Sequence, residues 1–526
     1  MEKSKKKISR VLYIISIVAL VALWGYMHIY KIESVPAGLN IDEAGMAYDA
    51  FCILNWGVDR YLNPYPLYFF NLGGGMSAMY VYLCVFFIKL FGMHTFVFRM
   101  PAIIFSLITI VCTSLIIRKM YGNIWALING FLFCVLPYFT LQSRYGLDCN
   151  IMLGAASLCF LATITAIEKD KKTYYVFAGI LWGMALYTYV LSYIIFPVFL
   201  CMVFIHQLSK KNYKILLMLP GMMILAIPLI IMVIINVFEL GTVKLGIFTI
   251  YQLQHNRAAE FEFSIGSLVN NFLYNIKIMF TWDGYPVNAF PKYFTLYKIS
   301  IPVCVIGFLY GVFSVVTKRY KNDKIKNINL YMLFYTLAMF VLCAIRHNCI
   351  YNLNSIYMAL LFWIITGIYF IYEITCKIVK RSLAGKISVI AILFWYSVCF
   401  VDFSNYYFNV YDETLLYFTN RLDTVLAEIG DKISENASYK IYIDAYYLYY
   451  LLERRTDPYI AQIQPEGLDN FGSIVTVSST SQMPMEIDEN NLYIVNRENY
   501  DYLNYISNYE FEKYWIDNYV VFYNNK

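Results

Sequence analysis

Uncharged apolar runs of roughly 20 residues recur through the first 400 positions of this chain, long enough to span a bilayer as helices. Within lipid each backbone N–H and C=O must find its partner inside the same segment, so these runs are read as helices in or across a membrane. Composition agrees. The 526 residues are 60% hydrophobic and 14% charged, with a mean hydropathy of +0.55, against about 45–50% and about 25% in soluble domains. A soluble enzyme, a disulfide scaffold, a disordered chain and a nucleic-acid binder are therefore excluded as readings of the whole.

The net charge of +6 conceals a division. From Phe403 onward there are 8 Lys+Arg against 19 Asp+Glu, and the residues before it hold 33 and 16. The chain divides accordingly into a membrane part, 1–402, and a soluble part, 403–526. All 12 cysteines precede Phe403 and most lie in apolar runs, where a thiol acts as a small hydrophobe. Cys149 and Cys349 fall in predicted loops on one side; two free thiols are expected there rather than a disulfide.

Basic residues beside spans stay cytoplasmic. The start MEKSKKKISR, followed by the apolar run 11–30, reads as a signal anchor with its N-terminus inside. The basic clusters at Arg118-Lys119, Lys169 to Lys172, Lys210 to Lys214, Lys318 to Lys326 and Lys377 to Lys386 are then all cytoplasmic. Further spans near 98–117, 121–138, 151–167, 174–190, 191–208, 215–237, 299–317, 328–345, 353–373 and 387–402 satisfy this, giving about eleven helices. The run Met76 to Phe91 is assigned to an interfacial or re-entrant helix, because an extra crossing would reverse every later cluster. The segments 31–97, 139–150, 238–298 and 346–352 then share the outer face with the tail. No nucleotide-binding motif appears, which argues against ATP-driven transport. In the tail, helical spacing over Asp412 to Glu435 and strand-like runs at Lys440 to Asp444, Ser473 to Ser478 and Leu492 to Val495 predict a small α/β domain. Its acidity reads as a solvated surface or as an acceptor-binding or docking face. The sequon at Asn436 is a chance match.

Several polar groups gather on that outer face. Asn40-Ile41-Asp42-Glu43 places two adjacent carboxylates just beyond the first span. Such a carboxylate can act as a general base toward an acceptor hydroxyl, or it can merely cap a helix starting at Ala44. Ser143-Arg144-Tyr145-Gly146-Leu147-Asp148 offers a guanidinium fork suited to a phosphate, with Asp148 as its orienting partner or simple neutraliser. Arg346-His347-Asn348 is either a second cation set or charge snorkelling at a helix end. Asn63-Pro64-Tyr65-Pro66, followed by Gly73-Gly74-Gly75, makes a turn with close backbone approach. His255, Asp283 and Asn288 are weaker polar candidates. No spacing of His, Cys and carboxylates indicates a structural metal.

These residues, in this order, resemble the membrane-embedded glycosyltransferases of the C superfamily, in particular the bacterial protein O-mannosyltransferase and aminoarabinose transferase relatives. The likeness rests on Asp42-Glu43, Pro64 to Leu67, Arg99, Ser143 to Asp148 and the turn Arg346 to Asn354, and covers roughly residues 10 to 400. It implies a sugar donor on a polyprenyl phosphate, with Asp42, and Glu43 beside it, in the catalytic position. Arg144, Arg346 and His347 are implied to hold the donor phosphate, and Asp148, Tyr65, Asp283 and Asn348 to serve as supporting or acceptor-side groups. Inverting transfer to a glycan, lipid or protein hydroxyl follows, outside a bacterial plasma membrane. No cofactor is required by the sequence, and a divalent metal is compatible with it. Asn63 stands where relatives often carry His or Lys before paired prolines, which leaves a metal or acceptor role there unsupported. The alternative is a flippase for a lipid-linked sugar, which needs no base; transporters commonly show half-chain repeats, and none is evident here.

Overall fold

The structure, a computed structural model, describes residues 2–71, 74–246, 248–253, 261–285, 287–319, 322–409, 421–429, 438–462, 470–477, 488, 490–496, 512–516 and 519–523. His255, Gly73, Asn436 and most of the helix predicted over 412–435 lie outside these residues.

Among the described residues fifteen α-helices precede the tail: α1 (Glu2–His28), α2 (Ile41–Trp56), α3 (Ala78–Phe91), α4 (Thr95–Tyr121), α5 (Asn123–Val135), α6 (Pro137–Arg144), α7 (Asp148–Lys169), α8 (Lys172–Ala185), α9 (Ser192–Ser209), α10 (Met218–Phe238), α11 (Ile265–Ile278), α12 (Ser300–Val316), α13 (Asp323–Ile345), α14 (Ile356–Val379) and α15 (Ser382–Asn409). A hairpin of β1 (Tyr68–Asn71) and β2 (Gly74–Ser77) joins α2 to α3, and a second, β3 (Val243–Leu245) and β4 (Phe248–Ile250), follows α10.

Every span expected from the sequence has a helix, but among the described residues fewer than eleven have the length and apolarity of a full crossing. Among the described residues eight are long and apolar enough to cross a bilayer, or nine if α5 and α6 count as one span bent by 62°. The bend falls at Leu136, where Pro137 cannot supply the N–H that a continuous helix needs. The expected spans 174–190 and 299–317 are the short helices α8 and α12. The run 76–91 forms the 14-residue α3, too short to count as a crossing.

Close packing in lipid favours small residues at helix contacts. On α12 and α14, Gly307 lies against the backbone of Trp363 and Gly367 against that of Val303, so a side chain at either would strike main chain.

The tail carries α16 (Leu422–Ile429), α17 (Tyr447–Arg454) and α18 (Pro458–Gln462), with a six-stranded mixed sheet of β5 (Ile441–Ile443), β6 (Asn470–Phe471), β7 (Ile474–Thr476), β8 (Leu492–Asn496), β9 (Glu512–Ile516) and β10 (Tyr519–Tyr523). The strand order is β6-β7-β5-β8-β10-β9, with β5 parallel to both β7 and β8. The strand runs read from the sequence coincide with β5, β7 and β8. All twelve cysteines are free thiols, Cys149 and Cys349 among them.

Candidate active site

Adjacent residues on a helix point about 100° apart, and at the start of α2 this sends two carboxylates in different directions. Asn40 is the N-cap, its side chain accepting from the Asp42 amide at 2.9 Å. Glu43 completes a capping box by accepting from the Asn40 amide at 2.9 Å. It also accepts from the Gly146 amide at 2.5 Å and from Arg99 Nε at 3.0 Å, and its side chain is fully buried. The capping reading is thus realised in Glu43. Glu43, expected in the catalytic position, is a cap and a buried ion-pair partner, because every direction it can reach holds a donor. Asp42 turns instead to an open cavity.

That cavity encloses about 420 Å³ and is walled by polar groups from distant parts of the chain: Asp42 and Asn71, Asp148 at the first turn of α7, Tyr189, Tyr285, Tyr351, Asn352, and Arg346 beyond the end of α13. Asp148 is fixed by accepting from the Ser77 amide at 3.0 Å and the Cys149 amide at 2.7 Å. Asn71 donates from Nδ2 to Asp42 Oδ1 at 2.6 Å. Asn71 and Tyr189 were not legible as site residues in the sequence, whereas Tyr351 and Asn352 fall within the polar turn after Arg346.

Arg346 also borders a second space. An apolar groove of about 260 Å³ runs along α9 and α10, lined by residues such as Ile194, Met232 and Val237, and it shares Gly75, Met76 and Arg346 with the polar cavity. The arginine is held there by its surroundings. Its main chain bridges Phe261 and accepts from Asn275 Nδ2 at 2.7 Å, and its Nη1 donates to Asn348 Oδ1 at 3.0 Å. Asn348 thereby supports the cation without lining the cavity.

The remaining expected residues sit elsewhere. Arg144 is fully buried and does not line the cavity; Nε donates to the Val35 carbonyl, Nη1 to Met27, and Nη2 to Tyr30 and Val35, at 2.6–3.1 Å. The expected phosphate fork is committed to the carbonyls at and beyond the end of α1. His347 is outside the cavity lining and stacks on Tyr274, ring centroids 3.8 Å apart. Asp283 accepts from the Ile350 and Tyr285 amides at 2.7 and 3.1 Å, and burial pushes its carboxyl up; it braces the wall rather than forming it. Tyr65 does not line the cavity; its ring lies against Gly57 and it is 42% exposed. Asn288 joins Asn150 and Asn354 in a buried amide cluster at 2.9–3.0 Å. Among the described residues no three His, Cys, Asp or Glu side chains converge as metal ligands.

The sequence profile of the family described as Dolichyl-phosphate-mannose-protein mannosyltransferase matches residues 77–235. No curated protein sequence matches significantly. ArnT from Cupriavidus metallidurans, solved bound to undecaprenyl phosphate, is similar in structure with a TM-score of 0.55 at 11% identity, over 97% of each chain. The oligosaccharyltransferase AglB from Archaeoglobus fulgidus, solved with an inhibitory peptide and a dolichol-phosphate, has a TM-score of 0.52 at 12% identity, over 95% of this chain and 71% of its own. The structural likenesses give the fold over nearly the whole chain, and the family profile covers its central segment, residues 77–235.

Proposed function

We propose that this enzyme transfers a sugar from a polyprenyl phosphate to an acceptor hydroxyl, with inversion, on the outer face of a bacterial plasma membrane. The observation that carries the reading is the meeting of a polar cavity and an apolar groove at Arg346. A polyprenyl-phosphate sugar has the same layout. Its isoprenoid chain suits the groove, its phosphate the guanidinium, and its sugar the cavity walled by Asp42 and Asp148. Asp42 takes the proton of the acceptor hydroxyl as that oxygen bonds to the anomeric carbon. The bond from that carbon to the phosphate oxygen breaks on the opposite face, and polyprenyl phosphate leaves with the electron pair. Arg346 stabilises the charge gathering on the leaving phosphate.

The arrangement of charge supports the outer location. Lys119 pairs with Glu168, Lys214 with Asp170 and Lys210 with Asn327, so the ends of α4 and α7 and the start of α13 share one end of the bundle. Asp148 and Arg346 lie at the opposite ends of α7 and α13. Basic residues therefore gather away from the cavity, as they do when a site faces outward.

The test is transfer by the purified protein in bilayers from undecaprenyl phosphate-linked hexoses, with the anomeric configuration of the product read by NMR. Asp42→Asn keeps size and removes basicity, so transfer should fall by roughly 10²–10⁴-fold. Full activity in that variant, or a product with retained configuration, would overturn the mechanism.

A further inference from the structure

Asp42 stands at the end of a line of buried side chains. Asn71 donates to Asp42 Oδ1 from Nδ2, and Asn71 Oδ1 in turn accepts from Arg60 Nη1 at 3.3 Å. Arg60 is gripped in two places by Asp49, Nε to Oδ1 at 3.0 Å and Nη2 to Oδ2 at 2.5 Å. Arg60 and Asp49 are each 1% exposed and Asn71 is 8% exposed.

The direction of this line is fixed by chemistry. An amide can present either its oxygen or its nitrogen to a neighbour, but a guanidinium only donates. Arg60 therefore claims the Asn71 oxygen, and the Asn71 nitrogen must face Asp42. A donor aimed at a carboxylate favours the ionised form and fixes the direction of the carboxyl plane.

Asp42, Gly45 and Asp49 occupy one face of α2, at spacings of three and four residues. Gly45 is the slot through which the line passes. A Cβ there would stand 2.7 Å from Arg60 Nη2 and 3.1 Å from Asn71 Oδ1. Glycine is otherwise a poor choice inside a helix.

We propose that Asp49, Arg60 and Asn71 are positioning residues that keep the Asp42 carboxylate ionised and turned to the cavity, with Gly45 providing the space they need. The proposal rests on Asp42 acting as the base. A bare structural role, in which the Asp49–Arg60 pair only staples the loop 57–67, would leave the titration of Asp42 untouched.

Carbodiimide amidation of the full-length protein, followed at the Asp42 peptide by mass spectrometry across pH, reads that titration without any substrate. Removing the donor in Asn71→Leu, or displacing Arg60 in Gly45→Ala, should raise the midpoint of Asp42 labelling by about 1 pH unit. The other titratable or charged groups on the cavity wall, Asp148 and Cys149 on α7, Arg346, Tyr189, Tyr285 and Tyr351, are the same in all three proteins. Should Asn71→Leu fail to fold, Gly45→Ala decides, since its methyl meets only side-chain ends, which can yield. An unchanged midpoint in folded Gly45→Ala overturns the proposal.

With undecaprenyl phosphate-linked hexose, both variants should lose roughly 10–100-fold in kcat. Their KM for the donor should stay within about twofold, and the acidic limb of the pH profile should move upward. If Asp42→Asn remains active while the labelling midpoint still shifts, the base assignment fails and the hydrogen-bonded line stands. If Asp42→Asn is inactive and the midpoint does not move, the line fails and the base assignment stands.

Discussion

Glu43 on α2 and Arg99 on α4 meet in a fully buried pair, with Arg99 Nε 3.0 Å from Glu43 Oε1 and Nη2 3.2 Å from Oε2. The guanidinium also donates to the Ile32, Pro36 and Gly38 carbonyls, so one side chain gathers the whole segment between α1 and α2. Removing one member of a buried pair strands the other and costs about 3–5 kcal/mol. Glu43→Gln should therefore lower the melting temperature and the yield of folded protein, whereas Asp42→Asn should melt like the wild type while losing transfer. Equal stability of the two variants, measured by thermal unfolding in detergent, would contradict this division of labour.

Arg346 is expected to govern donor affinity. Arg346→Gln removes the charge at the junction of cavity and groove, and a charge-assisted contact is worth about 1.5–3 kcal/mol. Binding of undecaprenyl phosphate should weaken by roughly 10–100-fold, a range that follows from the same energies. Arg346→Lys should recover part of it by keeping the charge without the fork. Titration of lipid binding in nanodiscs measures both.

Arg144 should behave in the opposite way. Its guanidinium serves the Met27, Tyr30 and Val35 carbonyls beneath the rings of Tyr407 and Phe408 at 5.4 and 5.2 Å. A lysine ammonium cannot reach all of them, and each buried carbonyl left unpaired costs about 1–3 kcal/mol. Arg144→Lys should lose stability, while the donor KM of the folded fraction stays within about twofold, in keeping with Arg144's distance from the cavity lining. A donor KM raised tenfold with unchanged melting would return Arg144 to the phosphate.

Apolar length and basic flanks were enough to place each described helix that is long and apolar enough to cross a bilayer, because both act locally. They did not foresee that α8 and α12, at 14 and 17 residues, are shorter than the helices long enough to cross a bilayer. Within the site, sequence order singled out Asp42, Asp148 and Arg346, all of which line the cavity. It could not separate Asp42 from Glu43, since their difference lies in which neighbour each meets across the fold. Nor could it separate Arg144 from Arg346. Both follow helical segments near polar residues, and only the folded chain shows carbonyls around one and a cavity beside the other. Asn71 and Arg60 carried no local signal, because their meaning depends on Gly45 in another element.

The loop that carries Arg60 should make stability depend on pH. Burial, and next the charge of Asp49, push the Asp59 carboxyl up to about 6 from 3.8. The folded chain therefore holds this proton more tightly than the unfolded one. Stability from this group is present at low pH and declines as pH rises from about 4 to about 6, by up to about 3 kcal/mol. Asp59→Asn cannot ionise and should flatten that part of the curve in melts from pH 4 to 7. An unchanged slope would mean that the Asn63 and Tyr61 donors around Asp59 offset its burial fully.

The tail should act on transfer through the same loop. Tyr449 donates to the Leu39 carbonyl at 3.2 Å and Gln462 to the Arg60 carbonyl at 2.7 Å, while the Tyr61 and Tyr447 hydroxyls meet at 3.2 Å. Leu39 directly precedes the cap of the helix that bears Asp42, and Arg60 belongs to the line behind it. Each bond contributes about 1 kcal/mol net. Two of these bonds hold the segment 57–71, so the triple variant Tyr447→Phe, Tyr449→Phe, Gln462→Ala should loosen that segment by about 2 kcal/mol and release Leu39 as well, while leaving the membrane helices unaffected. Hydrogen exchange in that segment should quicken and transfer should fall several-fold. A tail that serves only to capture acceptor predicts something else, namely a raised acceptor KM with exchange at 57–71 unchanged. Measuring both quantities on the one variant separates the two roles.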